Sequence, residues 1–319
     1  MLAFFARLAP TRIGMEACGG SHYWARELRA LGHEVALIPP QYVKPYVDRN
    51  KNDAADAEAI CEAMSRPKLA KRLVAVKTAD QQARQMLIGV REGLLNRRTQ
   101  VSNTIRGYAA EFGFSAPKGL AHLEPLIGRI LEDRRLPELV HDMVAILVGQ
   151  YRHVSAQIRE IEAKLMALCR ASPLSRRLIR VPTIGPVLAA ALPAKVADPK
   201  AFGSGRNFAA WIGLTPKDHS TGGKARQGGI TRAGDEMLRS QLICGATAVI
   251  QQVRRGKGRH APPWLGSLVA RKPPKLAAVA LANKIARIVW KMMVTDEPYD
   301  PGRHAAPATA GLAALAEAA

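Results

Sequence analysis

The chain has 319 residues, 47 Lys and Arg against 26 Asp and Glu, a formal charge of +21 and 48% hydrophobic residues. That is enough apolar material for two or more packed domains, and the positive balance points to a polyanionic partner, nucleic acid first. No stretch approaches the roughly 18 apolar residues of a spanning helix, MLAFFARLAP is too short for a signal peptide, and Cys18, Cys61, Cys169 and Cys244 lack zinc spacing, so they read as reduced thiols of a cytoplasmic protein.

From Thr11 to Cys61 the pattern alternates strand, helix, strand, helix. An apolar stretch ends in Ile13-Gly14-Met15, an amphipathic run covers Tyr23 to Leu31, and Val35 to Ile38 precedes Pro39-Pro40. Gly32 fits a helix stop, so the segment is α/β and Glu16 falls at the carboxyl end of a strand, where open α/β sheets carry their sites. Asp53 to Met64 then reads as a helix.

Residues 75 to 170 carry long helical patterns, Asp80 to Ala110 and Leu139 to Leu168, with a turn at Phe112 to Leu120. They predict a helical hairpin or coiled coil whose seam packs on itself or on a second copy. Beyond Ser172-Pro173, residues 176 to 291 hold 21 Lys and Arg against Asp198, Asp218, Asp235 and Glu236, which is +17 of the chain's +21. So dense a charge over one domain predicts nucleic-acid contact. The Ala-, Pro- and Gly-rich residues 301–319 predict a disordered tail.

Two constellations carry chemistry. Asp53 and Asp56 stand three apart on the predicted helix, so both carboxylates can meet one point, and Glu16 lies just before Gly19-Gly20. Hard divalent cations such as Mg²⁺ want such oxygen ligands for phosphodiester chemistry, although a DxxD also caps helix starts. The second constellation is residues 208 to 242, where Ser220 and Thr221 lie beside Gly222-Gly223, Gly228-Gly229 and the cations Lys217, Lys224, Arg226 and Arg232, with Arg239 beyond them. Glycines admit a phosphate to backbone amides and cations neutralise it, which suits a nucleophilic hydroxyl or a loop that only grips the backbone. RVPTIGPVLAAAL from Arg180 reads equally as a helix-hairpin-helix that binds phosphate or as a structural helix start.

In combination, MEACGGSHYW, ALIPPQYVKPY, KNDAADAEAICEA, PTIGPV and AAWIGLTPKDHSTGGKARQGGITRAGDEMLR resemble the insertion sequence 110 transposases, especially their 1111 branch, relatives of the Piv and MooV recombinases. The resemblance implies an α/β plus α fold. It comprises a RuvC-like (RNase H-like) DEDD domain over 1–72, a helical coiled-coil connector over 73–172, and a mainly α serine transposase domain over 173–300. It aligns Glu16 with the family's glutamate, Asp53 and Asp56 with its last two aspartates, and Ser220 or Thr221 with its serine, Ser220 being the better nucleophile. The family's first aspartate precedes the segment matched by MLAFFARLAP, so the reading expects an N-terminally truncated RuvC-like sheet and impaired activity.

The function expected is cleavage and strand transfer at insertion-element ends by the serine, with Mg²⁺ on the acidic residues. Double-stranded DNA, a guide RNA from the element and further copies of the chain, as dimer or tetramer on the nucleoid, are the expected partners, and a membrane is not. A RuvC-type metal-dependent junction nuclease and a non-catalytic nucleic-acid-binding protein are the alternatives.

Overall fold

The computed structural model describes residues 1–47, 52–257 and 263–301. Helices dominate, with two small sheets, and the chain forms two compact units, residues 1–83 with 173 onward and residues 84–172. The expected tail lies, from 302, outside the described residues.

The first unit opens with a single helical turn, α1 (Leu2–Phe5), then β1 (Arg12–Glu16), α2 (Ser21–Ala30) and β2 (Glu34–Ile38). β1 and β2 pair in parallel, Glu16 opposite Ile38, as two strands joined by a crossover helix must. Val35 and Leu37 pack with Ala25 and Leu28 of α2, whereas Ile38 packs with Ala59 and Ala63 of α4 (Asp53–Ser65), which follows the short α3 (Pro40–Val43). Period-2 alternation therefore gives the sheet one face for α2 and the other for α4. Beyond β2, Val74 bridges Leu37 in the antiparallel sense.

The helical unit comprises most of α5 (Ala79–Glu111), then α6 (Leu123–Glu132) and α7 (Glu138–Ala171). The expected turn spans Phe112 to Leu120, held by the Arg106 guanidinium on the carbonyls of Ala116, Pro117 and Gly119 at 2.8–3.1 Å. Sequence reading assigned no helix at α6. Its Leu123, Leu126, Ile127 and Ile130 are all buried and fill the space between Ile105 and Val144–Val148. Deeper along the pair, Arg91 and Glu162 form an ion pair at 2.6 Å.

The remainder of the first unit runs α8 (Pro173–Leu178), α9 (Pro186–Lys195), α10 (Gly205–Ile212), the hairpin β3 (Pro216–Asp218) and β4 (Gln227–Ile230), α11 (Glu236–Arg254), α12 (Pro263–Arg271) and α13 (Pro274–Thr295). Its core is α13, where Ala278, Leu281, Ala282, Ile285, Ala286 and Val289 are buried at helical spacing and small residues admit α10 and α11 closely. The turn between α8 and α9 seats against α11, and a Cβ on Gly245 would collide with the Thr183 carbonyl. Gln81 Nε2 donates to the carbonyls of Pro193 and Ala197, tying the N-terminal stretch to α9. Among the described residues no helix is long and apolar enough to cross a membrane, and all four cysteines are free thiols.

Candidate active site

The serine lies on a hairpin that sequence reading treated as a loop. Pro216 pairs with Ile230 and Asp218 with Gln227, so Lys217 faces both Gly228 and Gly229, a bulge in β4. At the tip, Thr221 and Lys224 exchange backbone bonds of 3.0 and 3.3 Å across Gly222 and Gly223, with φ of 54° and 75°. A turn with two consecutive positive φ values is the type I′ geometry that fits strand twist, and glycine adopts it without Cβ strain.

This frame fixes Ser220. Its Oγ–H donates to Asp218 Oδ1 at 2.5 Å, its backbone N–H donates to the same oxygen at 2.9 Å, and its Oγ accepts from the Arg226 N–H at 3.1 Å. The side-chain bond first, then the backbone bond and the charge of His219, hold the Asp218 carboxyl below its ordinary 3.8. Asp218, which no sequence motif flagged, is thus an ionised acceptor on the serine hydroxyl, visible beforehand only as a carboxylate two residues upstream. The Thr221 backbone closes the turn.

Lys217, Lys224, Arg226 and Arg232 are all exposed around this hairpin, and among the described residues Lys217, Lys224 and Arg226 make no ion pair. Arg239 stands apart from these four. It is 9% exposed on the buried side of α11, and its Nη1 donates to the carbonyls of Ile212 and Ala233 at 3.0 and 2.9 Å. A guanidinium nitrogen bonded to two carbonyls braces the loops flanking the hairpin.

The three carboxylates have a common frame. Glu16 ends β1 and shares by alternation the face of Gly14, whose missing side chain admits Ile60 and Met64 of α4. Asp53 and Asp56 stand in the first turn of that same α4. Capping there falls to Asn52, whose Oδ1 accepts from the Ala55 N–H at 2.8 Å. Among the described residues no ion pair or hydrogen bond engages the carboxylates of Glu16, Asp53 or Asp56, and no three metal-capable side chains are gathered into one group. Nor does any bond join them to Ser220, whose partners are Asp218 and Arg226.

The comparisons with known proteins join these halves in one class, the transposases. A model described as transposase, for the DEDD transposases of IS110 type, matches residues 2–112, and one described as transposase IS116/IS110/IS902 family matches residues 175–261. The chain is 58% identical to a putative transposase of Sinorhizobium fredii over 94% of this chain and 77% of the relative. It is 45% identical to a probable family 20 transposase of Pseudomonas aeruginosa over 94% and 88% of the two chains. A transposase for insertion sequence element IS1111A of Coxiella burnetii is 35% identical over 94% and 83%. The chain belongs to the IS110/IS116 family of transposases.

Proposed function

We propose that the chain cleaves and rejoins double-stranded DNA at insertion-element ends with Ser220 as nucleophile. The observation that carries this is the Ser220 hydroxyl held between Asp218 and the Arg226 N–H on a hairpin edged by exposed cations. Ser220 Oγ attacks phosphorus, an O–P bond forms, the P–O3′ bond breaks, and the departing 3′-oxygen takes a proton from water, so the product is a 5′-phosphoserine with a free 3′-hydroxyl. The serine proton moves toward Asp218 Oδ1, the acceptor already on it. Attack by another strand's 3′-hydroxyl reverses the step and frees the serine. Asp218, with its depressed pKa, is a weak base, so its larger effect is to aim the hydroxyl, while Lys217, Lys224 and Arg226 balance phosphate charge.

Residues 1–72 act in this reading as a RuvC-like domain, 73–172 as a coiled-coil connector and 173–300 as the serine transposase domain. The parallel pair β1–β2 between α2 and α4 supports the first. By donor chemistry Glu16, Asp53 and Asp56 are the residues that would hold a hard divalent cation, and Mg²⁺ there would polarise a phosphodiester, although among the described residues the three carboxylates are not gathered into one group. Exposed Leu139, Met143 and Ile146 recur at helical spacing on α7 and support pairing with a second copy. The +17 on residues 176 to 291 suits both DNA and an element-encoded guide RNA.

The test is covalent trapping of DNA carrying element ends in the presence of Mg²⁺. Ser220→Ala abolishes the adduct and Thr221→Ala retains it. The reverse pattern assigns the nucleophile to Thr221, and metal-dependent cleavage that survives Ser220→Ala identifies a junction nuclease instead. Strand transfer by the chain as it stands measures whether its activity is impaired.

A further inference from the structure

A groove of about 1160 Å³ opens beside the base of the hairpin, against Pro216, Gly228 and Ile230, and the serine chemistry makes no use of it. Its other walls come from the start of α10, from α12 and from the outer face of α13. Arg206, Arg271, Lys284, Arg287 and Lys291 line it, and no Asp or Glu does. Burial first, and then the charge of Arg287, push the Lys284 pKa down.

The rest of the wall is mostly apolar and aromatic, with Ser204 and Asn283 as its polar members. Trp290 is pinned by its indole N–H on the Pro199 carbonyl at 2.9 Å, and Lys284 Nζ stands 3.9 Å from the centroid of the Trp264 ring. The complementary ligand is therefore anionic and has an apolar planar part. A nucleotide has both. A base stacked in a duplex does not offer its face, so the nucleotide must be single-stranded or extruded.

We propose that this groove receives an unstacked nucleotide of the DNA strand held at the Ser220 hairpin, the base against the Trp264 wall and its phosphate among Lys284, Arg287 and Arg206. The choice of DNA over RNA rests on the proposed function, because the groove shares its wall with the hairpin that would attack DNA. Holding a base out of the stack there would fix the register of the neighbouring phosphodiester over Ser220.

The probe is a short oligo-dT added to the full-length chain, read by tryptophan fluorescence and, with a labelled strand, by anisotropy. Oligo-dT binds and quenches, and a duplex of equal length binds without comparable quenching. Trp264→Leu removes most of the quench, and both Trp264→Leu and Lys284→Gln weaken oligo-dT binding roughly tenfold while duplex affinity changes little. Ser220→Ala retains both quench and affinity, so loss of covalent chemistry in that variant leaves the groove intact as a separate finding. Equal quenching by duplex, oligo-dT affinity unchanged in a folded Lys284→Gln variant, or a stronger response to oligo-rU than to oligo-dT overturns the proposal.

Discussion

At the residue scale, two side chains are set by hydrogen bonds that one extra proton would disturb. Asp218 accepts from the Ser220 hydroxyl and amide, and its pKa lies below the ordinary carboxylate value, so it stays ionised throughout the neutral and mildly acid range. Asp218→Asn keeps an acceptor but loses the charge, and covalent trapping should fall by about 10²–10⁴-fold with melting temperature unchanged, since Asp218 is exposed. Trapping at wild-type level would remove Asp218 from the mechanism. His22 is the converse case. Its Nδ1 accepts the Lys77 N–H at 3.2 Å, and burial, then the charges of Lys77 and Arg26, lower its pKa from 6.5. The folded imidazole thus resists protonation more than the unfolded one. Stability attributable to His22 is complete above about pH 6.5 and declines as pH falls from there through the lowered folded value. A melting-temperature series from pH 7.5 down to 5 should fall for the wild type and flatten in His22→Gln, and an unaltered slope would assign the loss to another group.

At the scale of elements, close approach decides what substitution is tolerated. The turn at Thr183 has φ of 89°, uncommon for a β-branched residue, and the contact of its carbonyl with Gly245 helps hold it against α11. Gly245→Ala forces that carbonyl away and should cost about 1–3 kcal/mol, measured as a shift in denaturant midpoint, despite alanine's better helix propensity. A stabilised variant would mean that the turn is not seated there. The elements legible in the sequence were those with a period to read. Apolar runs at Ile13–Met15 and Val35–Ile38 with the amphipathic run Tyr23 to Leu31 between them, stopped by Gly32 and Pro39-Pro40, mark β1, α2 and β2, and the structure has all three. Two others were missed for identifiable reasons. In α6 the spacing of Leu123, Leu126, Ile127 and Ile130 is present, but the helix is short and contains Pro125 and Gly128, both weak helix formers, so its pattern stands out less than those of α5 and α7. The hairpin has no alternation, since its strands are short, exposed and glycine-bearing, and backbone pairing with a two-glycine turn holds it. Gly222-Gly223 is a turn signal as well as a route for phosphate to the backbone amides.

At the scale of the whole molecule, charge is where sequence says much and structure must sort it. The count of cations in residues 176 to 291 was legible from composition, but which of them face a polyanion was not. Lys217, Lys224 and Arg226 and the buried Arg239 come from one continuous motif and look alike as letters. The helical stripe of α11, with Met237, Leu238 and Leu242 buried, turns Arg239 inward. Binding of polyanions by surface cations releases counterions, so log K falls with log salt by about 0.9 per phosphate neutralised on duplex DNA. Replacing Lys217, Lys224 and Arg226 together by Gln should flatten that slope by up to about 3 while leaving the melting temperature near wild type. Arg239→Gln should do the opposite. Its DNA-binding slope stays the same, and stability drops by about 1–3 kcal/mol because the carbonyls of Ile212 and Ala233 lose their donor inside the fold. If Arg239→Gln also flattens the salt dependence without destabilising the protein, its guanidinium leaves those carbonyls for a phosphate when nucleic acid binds.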